Sequence, residues 1–497
     1  MQEIELKFLV PESRLKGLMR QAQIKSSQVT QLAAHYYDTP DQQLAQAGIG
    51  LRIRQEGDTW VQTIKAGGDG IAARLEHNAT LDNEQVQAML DNNELMPDLT
   101  IYKDTSIALA LAEFKLKKLA KKLTRLYVTD VERTTRLLAE DNSDKVVNSV
   151  EMAYDYGKII HGTDDTQRDA IQEIEFELIS GDVDFLFSTA KSWCQRHKLC
   201  LSTVTKAERG GLLINGQQHS PATAADLSAL NVDKKISMPA YLRTVVHNCL
   251  LQILPNSSAI VAGSKDSQHL LQLSIGIERL HTALQAFDNF SDETKPEWLA
   301  ILQLTAISLN EYRQLDYLNA HVEPMLQQYG APIVDWTADI DALKVTPMAA
   351  ISANDFQIML LELIAFTMSD PSLEPQADKL AINKLEKILV KYHEKLLKAE
   401  QDLEDSYSES DSEIQNEALV EALHKLYGHL KDLRYISELV APLYSKKKTK
   451  RWLKRIIKAQ KTLGKQLDMT DYQQLYQNKA SSDSAALYAA GWLNAAL

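Results

Sequence analysis

Residues 1–10, MQEIELKFLV, decide how the first part of the chain folds. Glu3, Glu5 and Lys7 alternate there with Ile4, Leu6 and Phe8. In a β-strand, side chains at i, i+2 and i+4 share a face, so two carboxylates and an ammonium line up ~6–7 Å apart. Taken alone, such a strand fits a charged face in water as readily as one turned towards a site. Residues 172–182, QEIEFELISGD, repeat the pattern, with Glu173, Glu175 and Glu177 alternating with Ile174, Phe176 and Leu178. Two strands that each present a ladder of carboxylates repel across a sheet unless cations or basic residues lie between them. A divalent metal is the economical explanation.

The chain has 497 residues, enough for two to four domains, and 44% of them are apolar, which suits ordinary packed cores. A formal net charge of −13 argues against a general nucleic-acid binder, so any polyanion site has to be local. Cys194, Cys200 and Cys249 are too few and too scattered for a disulfide framework or a zinc site, and are expected to be free core thiols in a reducing compartment. The first strand begins at Gln2 without a signal-peptide pattern, and no run approaches the ~20 apolar residues of a membrane helix. The expected location is cytoplasmic, with no membrane association.

Residues 1–215 pattern mostly as strands. A helix is expected from Pro11 to about Ala22, and strands at 35–37 and around Leu51 and Ile53, which alternate with Arg52 and Arg54. Val61, Thr63 and Lys65 share one strand face, Arg74 and Glu76 another. Residues 83–122 pattern as helical, and their lysines as a solvated face. Two strands joined by a polar turn at 140–145 follow, the second placing Glu151, Ala153 and Asp155 in one phase. After the glutamate strand come a helix at 183–197 and then Lys206 and Arg209. Small closed sheets are normally filled by apolar side chains, so an interior this charged has to hold water, ions or a ligand. About eight strands make a barrel wide enough for one small ligand, in which basic residues face phosphates and carboxylates hold metal.

The first strand resembles the ExExK signature of the CYTH superfamily, the triphosphate tunnel enzymes, here Glu3-Ile4-Glu5-Leu6-Lys7. Further matches follow in family order: YYDTPD (36–41), GLRIR (50–54), TIK (63–65), RLEHNATL (74–81), VEMAYDYG (150–157), the 173–182 stretch and TKAERG (205–210). The resemblance implies an α+β fold with an eight-stranded antiparallel β-barrel whose tunnel binds a linear triphosphate with Mg²⁺ or Mn²⁺. It places Lys7, Arg52, Arg54, Lys65 and Arg74 on the phosphates, joined by Arg133 and Lys206, and Glu3, Glu5, Glu173, Glu175 and Glu177 on metal. Arg125 stays open. Arginine suits bidentate phosphate binding and Mg²⁺ suits carboxylate oxygen, in keeping with those roles. The implied chemistry is metal-assisted hydrolysis of a terminal phosphoanhydride, carried by Glu3, Glu5, Lys7, Arg52, Arg54 and Lys65, with no covalent nucleophile. Lys7 serves first to position phosphate, and as a general base only if neighbouring cations depress its pKa.

Residues 216–237 pattern as a linker and 238–497 as helical. Helices are expected at 269–287, 297–321, from 352 or 354 to 368, and from 378 to about 403, with a flexible acidic connector at 404–413. Leu419, Leu423, Leu426, Leu430 and Leu433 then form one apolar stripe. This half resembles the CHAD domain, a duplicated all-helical fold associated with polyphosphate and often fused to CYTH. Residues 423–444, LHKLYGHLKDLRYISELVAPLY, keep His424, Lys425, Lys431 and Arg434, and AQKTLGKQLD (459–468) follows. The first repeat keeps a trace at 308–318, but carries Leu271, Ser274 and Glu278 where the family has histidine and arginines. Residues 446–461 hold nine Lys or Arg, which form a solvated face or else a patch for polyphosphate, RNA or an acidic partner.

The layout as a whole resembles bacterial CYTH–CHAD inorganic triphosphatases, which implies cleavage of tripolyphosphate to pyrophosphate and phosphate. Class IV adenylate cyclase and thiamine triphosphatase use the same tunnel and stay open, as does a polyphosphate-binding module without catalysis.

Overall fold

The computed structural model describes residues 2–67, 71–92, 94–140, 148–408 and 413–496. Its strands are β1 (Gln2–Leu9), β2 (Gln28–Asp38), β3 (Gly50–Glu56), β4 (Thr59–Gly67), β5 (Ala73–Leu81), β6 (Thr124–Glu140), β7 (Asn148–His161), β8 (Arg168–Ser180) and the two-residue β9 (Cys200–Leu201). They pair antiparallel in the order β5-β4-β3-β2-β6-β7-β8-β1-β9. A further pairing of β1 with β5, from Gln2 opposite Leu75 to Ile4 opposite Ala73, closes eight strands into a barrel. Closure removes the exposed edges and leaves two walls, one inside and one outside.

The apolar residues take the outside. Phe8 meets Phe176 edge-on at 5.9 Å between ring centroids, and Phe176 meets Trp193 of the Val183–His197 helix at 5.6 Å. On β3 and β4, Leu51, Ile53, Trp60 and Ile64 pack with Val86, Leu99, Tyr102 and Ile107 in one buried cluster. The period-2 alternation therefore sends Glu3, Glu5 and Lys7 inward, and the strand's charged face is not the solvent face of an ordinary amphipathic strand.

Several elements differ from expectation. β2 starts at Gln28 rather than His35, because β6 pairs with it along its whole length. Residues 83–122 form one nine-residue helix, Asn83–Asp91, two single turns and the five-residue helix Leu116–Ala120. Leu99, Tyr102, Ile107 and Leu111 insert individually into the outer cluster, which irregular chain permits as well as helix does. The polar turn expected at 140–145 lies, beyond Glu140 at the end of β6, outside the described residues.

The chain divides into two compact units. The first comprises Met1–Thr223, Leu254–His269 and Ile351–Met368. It thus takes in the Asn354–Met368 helix, where Gln357 accepts the Leu201 backbone N–H through Oε1 at 2.7 Å. The second unit is helical, with Pro296–Tyr317, Ile382–Ser408, Glu413–Val440, Lys446–Ala480 and Ala486–Ala496 among its helices. The helix expected from 378 begins at Ile382 and continues through part of the stretch expected as a connector, to Ser408, with Ser406 Oγ bonding the Asp402 carbonyl one turn back. A core of Leu315, Leu318, Leu326, Trp336, Tyr476 and Leu493 holds one end of this unit. Glu323 is buried inside it, accepting from Val334 N at 3.2 Å, Trp336 Nε1 at 3.3 Å and the Tyr476 hydroxyl. No described helix is long and apolar enough to cross a membrane.

Candidate functional site

The barrel interior is a cavity of about 830 Å³. Lys7, Arg52, Arg54, Lys65, Arg74, Arg133 and Lys206 all line it, as do Glu3, Glu5, Glu175 and Glu177. Each cation comes from a strand position of inward phase, except Lys206. That residue opens the Lys206–Ile214 helix, which is capped by Thr205 Oγ1 accepting from Glu208 N at 3.0 Å. The helix lies against Tyr127: the phenol donates to the Ala207 carbonyl at 2.9 Å, and a Cβ at Gly210 would come within 2.1 Å of the ring. Glycine is what lets the helix approach closely enough to insert Lys206.

Register brings the two glutamate strands together. Glu5 lies opposite Glu177, Lys7 opposite Glu175 and Leu9 opposite Glu173. β7 extends the rows, with Glu151 opposite Glu177 and Asp155 opposite Glu173, and β6 adds Arg133 opposite Asp155. The acidic residues fall into two groups.

In the first, one carboxylate oxygen each from Asp155, Glu173 and Glu175 lie within 4.8 Å of one another. Lys206 Nζ reaches all three, at 2.7 Å from Asp155 Oδ2 and 2.8 Å from Glu175 Oε1. Arg133 grips Asp155 with two bonds, Nε–Oδ1 at 2.7 Å and Nη2–Oδ2 at 2.6 Å, and contacts Glu175 at 2.8 Å. Burial opposes charge on Glu175, but Lys206 and Arg133 outweigh it and hold the carboxyl well below its usual range. Lys206 thus pairs with all three carboxylates and Arg133 with Asp155 and Glu175, and the trio is also close-set enough to hold a metal ion.

The second group is Glu3, Glu5, Glu76, Glu151 and Glu177. Lys65 Nζ bonds both oxygens of Glu3, at 2.8 and 2.6 Å, and stands 3.3 Å from Glu76, while Arg74 is 3.1 Å from Glu5. No cation lies within ion-pair distance of Glu151 or Glu177 among the described residues. Burial pushes Glu177 up to about 7, with Glu5, Glu76 and Glu151 adding repulsion against the pull of Lys65. Burial likewise raises Glu3, to about 8, despite Lys65. Glu151 and Glu177 are thus left without a close cation, and carboxylate oxygens of this kind are the hard donors that a dication such as Mg²⁺ or Mn²⁺ takes.

On the arginine wall, Arg54 alone of Arg52, Arg54 and Arg133 is pushed below its usual value, while its two neighbours are raised by their partners. Arg52 Nη1 donates to the Tyr36 hydroxyl at 3.3 Å, and its buried Nε has no hydrogen-bond partner among the described residues. Burial, and then the charges of Arg52 and Arg133, push Arg54 down to about 10, even with Glu56 bonded to it. Burial alone would raise the Tyr36 phenol, yet Arg52 brings it below its usual value. Lys7 is buried, donates to the Val204 carbonyl and is lowered, first by burial and then by Lys206 and Arg74 against two glutamates. Arg125, left open from sequence, is exposed and does not line the cavity. Asp155, Glu76, Glu151 and Tyr36 were not singled out as site residues, although each sits in the same inward phase as a neighbour that was.

Residues 1–210 match the model of the CYTH domain, and residues 244–477 that of the CHAD domain. The chain joins a CYTH domain to a CHAD domain. A curated relative, the inorganic triphosphatase of Haemophilus influenzae, is 32% identical over 219 residues, 43% of this chain and 55% of the relative. The chain thus spans about half the length of that relative. Among solved structures, the CHAD domain of the plant Ricinus communis is 23% identical with a TM-score of 0.45, covering 56% of this chain and 91% of that one. A Hippeastrum protein, titled as an adenylyl cyclase with a dominant triphosphatase activity, is 14% identical with a TM-score of 0.30, covering 44% and 97%.

Within the CHAD domain the cations named from sequence are paired. Lys431 bonds Glu278 at 2.7 Å, Arg434 bonds Glu438 at 2.8 Å, His424 bonds Asp471 at 2.9 Å and Lys425 bonds Asp402 at 2.6 Å. The nine basic residues at 446–461 lie on the Lys446–Ala480 helix and have no ion pair among the described residues.

Proposed function

We propose that the CYTH tunnel hydrolyses inorganic triphosphate to pyrophosphate and phosphate in a cytoplasmic, Mg²⁺- or Mn²⁺-dependent reaction. The observation that carries this is the arginine wall, where Arg52, Arg54 and Arg133 crowd one buried cavity and Arg52 keeps an unpartnered Nε. A linear polyanion relieves that repulsion and accepts the free donors, and planar guanidinium groups suit its oxygens. Lys7, Lys65, Arg74 and Lys206 complete the basic lining, and the curated relative carries the same activity in its name.

Glu5 and Glu177, with Glu3 and Glu151 close by, would hold the dication, which when bound neutralises phosphate charge and polarises the anhydride. The chain's own cations fix the phosphates and stabilise charge that builds on the departing pyrophosphate as water attacks the terminal phosphorus. The P–O bond to the bridging oxygen breaks as the new P–O bond forms, so no side chain has to become a covalent carrier. Lys65 and Arg74, each already touching a glutamate, couple the phosphate side of the tunnel to the acidic side.

The test is phosphate release from tripolyphosphate, ATP and thiamine triphosphate with Mg²⁺ or Mn²⁺, using wild type and Glu5→Gln. Metal-dependent release, fastest from tripolyphosphate and at least tenfold slower in Glu5→Gln, is expected. Absence of release from all three would leave a tunnel that only binds, and cyclic AMP from ATP would make it a cyclase.

A further inference from the structure

A second basic cavity lies outside the tunnel, on the outer surface of the same unit. It measures about 780 Å³ and is lined by Arg14, Lys16, Arg20, Arg136, Arg196 and His197. Arg14, Lys16 and Arg20 stand on the first helix, α1 (Glu12–Ala22), Arg136 on β6 in the outward phase opposite to Arg133, and Arg196 and His197 at the end of the Val183–His197 helix. No carboxylate is among the lining residues, and none lies within ion-pair distance of these five Lys and Arg side chains among the described residues. In a chain of net charge −13, five cations lining one groove without a counter-charge, Arg136 half-buried and the other four exposed, make a local positive field that favours a bound anion.

Helix dipoles explain only part of the arrangement. Arg20, Arg196 and His197 occupy last turns, where cations are favoured, but Arg14 lies in the first turn of α1 and Lys16 just beyond it, at the end where anions are favoured. The floor of the cavity is also fixed. Gly17 lines it from mid-helix, where a Cβ would make no more than an ordinary contact, 4.0 Å from His197 Nδ1. His197 Nε2 pairs with Gln21 Oε1 at 2.9 Å, and Arg136 Nη1 donates to the Gln21 carbonyl at 2.7 Å, so one residue holds both basic groups in place. Burial, followed by the charges of Arg196 and Arg14, lowers the His197 imidazole, consistent with a neutral ring among cations.

We propose that this groove is an anion site separate from the tunnel, built for a short inorganic phosphate chain such as pyrophosphate. Three elements enclose a limited volume, which suits a compact multivalent anion better than a polymer, whose track would need cations continuing along one direction. The site would let a product of triphosphate cleavage, or a phosphate chain of the same chemistry, bind without entering the tunnel.

The probe is inorganic pyrophosphate titrated calorimetrically into the full chain in EDTA, so that no turnover intervenes. Arg14→Gln/Arg20→Gln/Arg196→Gln should bind one pyrophosphate fewer than wild type, while Arg52→Ala/Arg54→Ala should lose a different one. Equal melting temperatures guard against unfolding, and Lys16→Gln alone, a milder exposed change, should weaken the groove site about tenfold. Stoichiometry unchanged in the triple variant, or complete loss of binding in the tunnel variant, overturns the proposal. So does a short single-stranded RNA that displaces pyrophosphate from the groove and binds more tightly.

Discussion

The tunnel and the CHAD domain both concentrate basic residues, and Arg52, Lys7 and Arg54 of the tunnel are placed differently from the CHAD cations that the sequence singles out. Lys431, Arg434, His424 and Lys425 each meet a carboxylate of their own unit. In the tunnel, Arg52 has a hydroxyl partner and an idle Nε, Lys7 has a carbonyl, and Arg54 is pressed by Arg52 and Arg133 despite its glutamate. Paired cations stabilise a fold modestly. Cations held together against repulsion store a preference for an incoming anion, and that is the mark of a site rather than a scaffold.

Removing a tunnel arginine should have the largest effect. Arg52→Ala loses charge-assisted bonds to phosphate of about 1.5–3 kcal/mol, so kcat/KM for triphosphate should fall about 100-fold, chiefly through KM. Its melting temperature should change little, since Arg54 loses a repulsive neighbour while the Tyr36 hydroxyl loses its donor. A fall in stability with activity intact would erase the contrast between the regions.

The acidic side offers a pH test. Glu177 is raised to about 7, so the folded chain keeps a proton that the unfolded chain loses near the ordinary carboxyl value of 4.5. Its contribution to stability is full below that value and is lost as pH climbs through about 7. Glu177→Gln removes that loss, and the metal-free protein should gain about 1–2 kcal/mol at pH 8, read by denaturant unfolding. The same variant should need about tenfold more Mg²⁺ or Mn²⁺ for half-maximal activity, in line with the loss of one charged ligand. An unmoved metal titration removes Glu177 from the metal set.

Effects should be smallest in the CHAD domain. Lys431→Gln breaks a partly exposed pair with Glu278, worth at most about 1 kcal/mol, and triphosphate hydrolysis should not change. Lys454→Gln/Arg455→Gln/Lys458→Gln on the unpaired basic helix should leave stability within about 0.5 kcal/mol. If that helix is a polyphosphate patch, binding of long-chain polyphosphate should weaken severalfold and lose part of its salt dependence; unchanged binding makes it a solvated face.

How far the sequence reached depended on what periodicity encodes. Alternation at residues 3–8 and 173–178 determined strand type, and which residues share a face, because side chains of a strand repeat every two residues. The resemblance to CYTH put Lys7, Arg52, Arg54, Lys65, Arg74 and Arg133 among the candidates, and all line one cavity. Periodicity is silent on which face turns inward, and that was decided by Phe8, Phe176 and Trp193 packing outside together with closure of β1 on β5. It is equally silent on partners across strands. Only register set Asp155 beside Glu173 and Arg133, brought Lys206 from a helix start into three carboxylates, and left Glu5, Glu151 and Glu177 facing one another. In MQEIELKFLV, then, composition and spacing specified a charged face. Long-range pairing specified what each charge meets, because electrostatic compensation depends on distances of a few ångströms between residues far apart in the chain, such as Glu3 and Lys65.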